Sequence, residues 1–192
     1  MRNAWRRLLA RLRQLPYLED GVAAVEFALI LPIMLLVYVG SVEASALISM
    51  DRRVQSVAGA VGDLVARSDG SISAASLTDY FRAAGAIMTP YPSAGLQQMV
   101  ASIEVRANGT TRVAWCRQFV NNVVSTCPAH AVNSTYTTLP AEMITIARGK
   151  YVIAAKGNYA YTPLYGIVFD QAVRLSRENF FMPRFGTAIA IN

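Results

Sequence analysis

Gly21, Val22 and Glu26 stand close together near the N-terminus and have the types needed for one piece of chemistry. No charged residue occurs from Phe27 to Val42, and the apolar character runs on to about Ile48. A carboxylate at the start of such a segment costs a few kcal/mol if it lies deep in a bilayer. Cutting the peptide bond between Gly21 and Val22 gives it a reason to be there. Val22 then carries a free α-amine, and Glu26 sits four residues along on the same helix face. Ammonium and carboxylate can neutralise each other within one chain or between neighbours. In low dielectric that attraction is strong enough to fix the axial register of packed helices. The plainer alternative is an interfacial carboxylate near a helix start, where the helix dipole favours an anion.

Other chemistry is sparse. The two cysteines, Cys116 and Cys127, lie well beyond the apolar run. An even pair in an exported segment is most simply a disulfide, closing a short loop worth roughly 3 kcal/mol. The rival is a pair of free buried thiols in a cytoplasmic domain. The single histidine, His130, stands in a polar loop and reads as a solvated side chain. No cysteine or carboxylate spacing suggests zinc, and no nucleophile elbow or phosphate-binding glycine loop occurs. The expectation is a non-enzyme with no catalytic residue, metal or cofactor. Asn108-Gly109-Thr110 and Asn133-Ser134-Thr135 fit the glycosylation sequon, here a coincidence. Tyr151, Tyr159, Tyr161 and Tyr165 read as packing and surface residues before they read as a binding face.

The element that must carry Gly21 and Glu26 is a helix. Val22 to Ile48 exceeds the roughly 20 apolar residues needed to cross about 30 Å of hydrocarbon. Pro32 and Gly40 inside it are tolerated in membrane helices. Arg2, Arg6, Arg7, Arg11 and Arg13 precede the run, opposed only by Glu19 and Asp20. Arginines beside an apolar helix anchor the cytoplasmic end, and they argue against the free-thiol reading. Loss of residues 1–21 removes five positive and two negative charges, so the net charge of +6 falls to +3. The basic balance is thus partly the leader's, and nucleic acid is not expected as a partner. Two other fates compete with a cut after Gly21. One is an uncleaved single-pass anchor presenting a periplasmic binding module. The other is a secreted protein released at Ala44-Ser45-Ala46.

Beyond the apolar run the helical pattern continues. Leu47, Met50, Val54, Val57, Val61 and Leu64 recur at spacings of three and four, one apolar stripe. The stripe can dock on the chain's own domain or on other subunits, and Ala58, Gly59, Ala60 and Gly62 permit close approach. The breakers Ser68-Asp69-Gly70-Ser71 end it. A second helix is expected from about Ala74 to Ile87, capped by Ser73 and ended by Pro90 and Pro92. From Gln97 the period shifts to two. Met99, Ala101, Ile103 and Val105 alternate, as do Val113 and Trp115, with Asn108-Gly109 between the runs. A three-residue loop, Ala107 to Gly109 with Gly109 at positive φ, pairs Ile103 with Val113 and Ala101 with Trp115. Residues 118–141 read as a long loop stapled through Cys116. Met143 to Ile146 reads as a short strand or helical turn, and Tyr151–Tyr161 and Arg174–Met182 as strands. The expected fold is α+β: a leader over 1–21, a long helix over 22–68 that spans a membrane at about 22–48, and an exported domain over 69–192. That domain is a small, mostly antiparallel sheet with one additional helix.

Gly21-Val22-Ala23-Ala24-Val25-Glu26-Phe27 resembles a type IV prepilin processing site, which has a glycine before the cut and a glutamate as the fifth residue beyond it. The stretch Gly21 to Pro32, GVAAVEFALILP, is similar to TadE/TadG-like pilins of the tight-adherence (type IVc pilus) system. Tyr159-Ala160-Tyr161-Thr162-Pro163-Leu164 resembles a Y-x-Y-x-P segment of TadE-like domains. Met182-Pro183-Arg184 resembles their closing R-P-R, with methionine in place of the first arginine. The chain is too short for the extra von Willebrand-type domain of many TadG proteins and shows no D-x-S-x-S motif, so TadE-like is the nearer likeness. The resemblance implies a minor pilin (pseudopilin) of the bacterial inner membrane, passing the bilayer once. Its N-terminus would be cytoplasmic and its C-terminal domain periplasmic. Implied partners are the prepilin peptidase that cuts between Gly21 and Val22, other pilins and minor pilins, the inner-membrane assembly platform and the lipid bilayer. Glu26 and Phe27 are the implied assembly residues.

Overall fold

A computed structural model describes residues 21–163, 166 and 171–192. The leader up to residue 20 lies outside the described residues, as do Leu164 and Tyr165. The chain divides into two compact units, Met1–Ala44 and Ser45–Asn192. One helix, α1 (Val22–Ala66), belongs to both.

In the first unit, α1 runs without interruption through Pro32, and every residue from Val22 to Tyr38 is exposed. In the second unit its character changes. Met50, Val54, Val57, Val61 and Val65 are fully buried, at the spacings of four and three that keep one face inward. They pack with Phe81, Val100, Trp115, Phe119 and Ile153 of the same unit, so this stripe docks on its own domain. The small residues serve the same contact. A Cβ on Gly62 would lie 2.3 Å from the Phe181 ring and 2.9 Å from Ala155 Cβ. Glycine is there because nothing larger fits between helix and sheet.

After α1 the chain forms β1 (Ser71–Ile72), then α2 (Ala74–Gly85) and a 3-10 turn, Ala86–Met88. Ser73 caps α2 as its sequence predicts: the Ser76 amide donates to Ser73 Oγ at 3.0 Å. The remaining elements are β2 (Gln97–Val105), β3 (Thr111–Val120), β4 (Val123–Thr126), α3 (Ala141–Ile146), β5 (Lys150–Tyr161), β6 (Val173–Phe181) and β7 (Ala190–Ile191). Strands β2 to β6 make one antiparallel sheet in the order β4-β3-β2-β5-β6. The expected α+β class holds, and among the described residues α2 and α3 are the helices beyond α1. Strands β1 and β7 pair in parallel and tie the C-terminus beside the start of α2.

Both faces of the sheet are covered. α1 and α2 cover the face bearing Val100, Trp115, Phe119 and Ile153. The segment from Cys127 to Ala147 covers the face bearing Ala101, Ile103, Val105, Val113 and Val152. The predicted hairpin loop forms, with Gly109 at φ 86° and Ile103 opposite Val113. Ala101, however, pairs with Cys116, and Trp115 lies opposite Ser102. A bulge at Ala114 adds one residue to β3 and turns Trp115 to the helix side while Val113 stays on the other. There the indole Nε1 donates to Ile189 O at 2.6 Å, a partner that a buried tryptophan needs. Part of the expected long loop, 118–126, is also strand. Asn121 (φ 50°) and Asn122 (φ 65°) form a two-residue left-handed turn between Val120 and Val123, a conformation asparagine tolerates well.

Candidate functional site

Gly21 opens the described chain, and α1 begins at the next residue. A Cβ on Gly21 would have no heavy atom within 4 Å, and its φ is not in the left-handed region. Among the described residues, none therefore requires glycine at this position. Val22 is 54% exposed and Phe27 58% exposed, with Glu26 exposed between them on the same helix. No described residue forms a hydrogen bond or ion pair with Glu26. The helix brings Val22 and Glu26 to one face by its 3.6-residue period, and it carries Phe27 beside them.

The surface around them is unusual for water. The best 18-residue window of α1 has a mean hydropathy of 2.5, and none of that window is buried. Leu29, Ile33, Leu36 and Val37 are each at least 60% exposed. An apolar face this large needs lipid or another apolar surface to cover it. From Val22 to Ala44 the helix rises roughly 34 Å at 1.5 Å per residue, enough for about 30 Å of hydrocarbon. It is the one helix among the described residues that is long and apolar enough to cross a membrane.

The second unit holds its parts together with side-chain bonds. Cys116 and Cys127 are joined in a disulfide with their Cα atoms 5.6 Å apart. It staples the β3–β4 hairpin to the start of the segment that covers the sheet. Further along that segment, Tyr136 Oη donates to Glu178 Oε1 of β6. Burial, and next the bond to Glu178, push the Tyr136 phenol well above its ordinary value, so it stays a neutral donor. His130 leans on the Tyr136 ring with centroids 4.9 Å apart, a packing role. Among the described residues no group of three or more His, Cys, Asp or Glu could hold a metal.

On α1, Asp51 receives both Nε (2.8 Å) and Nη2 (2.5 Å) of Arg177. Asp63 receives Arg67 at 2.5 Å and Arg184 at 2.6 Å. Hydrogen bonds from Arg67, and next from Arg184, hold the Asp63 carboxyl below its ordinary value. These pairs fasten α1 to β6 and to the turn after it. Arg184 therefore has a structural partner, and Tyr159 and Tyr161 are buried in the helix-side core. Sequence reasoning did not single out Gln98 or Ser102, two polar side chains buried on β2. Their only signal was a polar residue at an inward position of an alternating strand.

Residues 21–62 match the family model described as TadE-like protein. This segment is TadE-like. The match is consistent with a protein of the tight-adherence pilus and supports a general minor-pilin association. That family is structural and not enzymatic. The TadE-like segment contains Gly21, Val22, Glu26 and Phe27, the whole exposed apolar stretch and most of the docked stripe. The tyrosines of β5 and the Met182-Pro183-Arg184 turn fall outside the matched residues. No curated protein and no solved structure matches the chain.

Proposed function

We propose that the chain is a minor pilin, or pseudopilin, that primes or assists assembly of a tight-adherence pilus after a prepilin peptidase cuts between Gly21 and Val22. The observation that carries this reading is the exposed apolar helix beginning immediately beyond a glycine that no described residue crowds. A glycine that no described residue crowds is accounted for by what reads it from outside. Cleavage leaves an ammonium on Val22, and the new charge answers Glu26 on the same or a neighbouring helix. Phe27 lies beside that pair and packs with the helices of other pilins. The inner-membrane assembly platform and those pilins are the partners. The helix passes the inner membrane once, with the sheet domain in the periplasm.

N-terminal sequencing of the protein purified from its host tests the cut. Val22 as the first residue supports it, Met1 marks an uncleaved anchor, and Leu47 marks a secreted form. Gly21→Ala leaves a longer precursor on a gel while the domain folds normally. Glu26→Ala is still cleaved but lowers the pilus yield on electron micrographs about tenfold, as loss of one desolvated charge contact worth about 1.4 kcal/mol would. Full piliation in the Glu26 variant would remove that residue from the mechanism.

A further inference from the structure

We propose that a cleft in the sheet domain, between the end of α2 and the β3–β4 turn, binds a sugar unit bearing a carboxylate. The cleft has a volume of about 550 Å³, inside the usual range of small-ligand sites. Its walls are fixed by specific bonds. Arg53 Nη1 donates to the carbonyls of Ile87 (2.8 Å) and Thr89 (2.6 Å), and its guanidinium lies 5.5 Å from the centre of the Tyr91 ring. Tyr159 Oη donates to Pro92 O at 3.2 Å. The irregular segment 89–96 is therefore held open by the helix and the sheet behind it.

The lining specifies the chemistry. Gln98, 2% exposed, contributes from β2. Its Nε2 donates to Phe81 O at 3.0 Å, while its Oε1 accepts no hydrogen bond from the protein. A buried carbonyl oxygen without a donor is costly, and a ligand hydroxyl relieves that cost once a small shift of the cleft wall uncovers the oxygen. Asn121 and Asn122 present two exposed amides at the mouth, and Tyr91 and Phe119 supply aromatic surface. Among the described residues the lining contains no carboxylate, which disfavours a cationic ligand. Arg82 is the one charged side chain there, exposed, with no ion-pair partner among the described residues. Its place in the last turn of α2 suits the helix dipole. The helix end leaves the orphaned Gln98 oxygen unexplained, and a ligand accounts for both. Amides, an aromatic edge and one guanidinium together match hydroxyls, a ring face and one carboxylate.

Saturation-transfer NMR on the full chain in a sugar-free zwitterionic detergent tests this, with glucuronate, glucose and acetate as probes. The expected result is transfer to glucuronate, weaker transfer to glucose and none to acetate. Arg82→Gln, at an exposed site, lowers glucuronate binding about two- to fivefold, the range of a solvent-exposed ion pair, and leaves glucose unchanged. Asn122→Gly keeps the left-handed turn and weakens both sugars. Absence of transfer to either sugar overturns the proposal. So does acetate binding as strongly as glucuronate, or sugar binding that neither substitution alters.

Discussion

Replacing Gly62 by alanine places a methyl group where the Phe181 ring and Ala155 Cβ already stand. The ring can swing aside, but Ala155 is fixed to β5 and cannot. Overpacking of this kind costs about 1–3 kcal/mol. Gly62→Ala therefore lowers the midpoint of denaturant unfolding of the sheet domain, and an unchanged midpoint would show that the helix can ride outward at no cost. Gly21 is the control on the same chain, because an added methyl there meets nothing. Gly21→Ala leaves the midpoint where it was. Both glycines lie within the matched TadE-like residues, yet one answers to packing inside the molecule and the other, on the proposed function, to recognition by a peptidase.

At the scale of elements, the disulfide and the helix clamps carry separate shares of stability. Cys116 and Cys127 close a loop with a sequence separation of 11. Removing the link by changing both cysteines to alanine costs about 2–4 kcal/mol, read as a lower unfolding midpoint. Reduction of the wild type should bring it close to the same value. The Asp63 clamp adds a pH dependence. Its carboxyl is depressed in the folded chain, so its contribution is present above the ordinary value of 3.8 and lost as the pH falls through the lower native value. Asp63→Asn is thus less stable than wild type at neutral pH, and the difference closes on strong acidification. A gap that persisted in acid would exclude the ion pairs as its source. Helices α1 and α2 were legible because spacings of three and four, a serine cap and terminal breakers all agreed. Strands β2, β3, β5 and β6 were legible from their alternation. The Ala114 bulge was not, because Val113 and Trp115 alternate as if on one face, and only the distant carbonyl of Ile189 gives the indole a reason to turn over. Strands β1 and β7 have two residues each and exist only as each other's partners. The Gln98 cleft is assembled from α2, a loop, β2 and the β3–β4 turn, so no local pattern announced it.

At the scale of the molecule, one chain joins a segment that water does not favour to a domain that buries its own core. The first 17 residues of α1, Val22 to Tyr38, are exposed throughout, whereas Met50, Val54 and Val57 are wholly buried. The change falls within a single helix. A disulfide in the folded unit fits an oxidising compartment. The five leader arginines fit retention of the N-terminus in the cytoplasm. Together these predict a direction across the membrane. Protease added to intact spheroplasts should digest the sheet domain and leave a short apolar fragment in the membrane pellet. The same treatment after lysis should yield no smaller fragment if the proposed cut after Gly21 removes the leader. An arginine in place of Leu35, near the middle of the span, costs about 2.5–3.5 kcal/mol of insertion energy and should shift protein out of the pellet. Protection of the sheet domain in intact spheroplasts would reverse the orientation. It would also separate the disulfide from any oxidising compartment, because both cysteines lie in that domain.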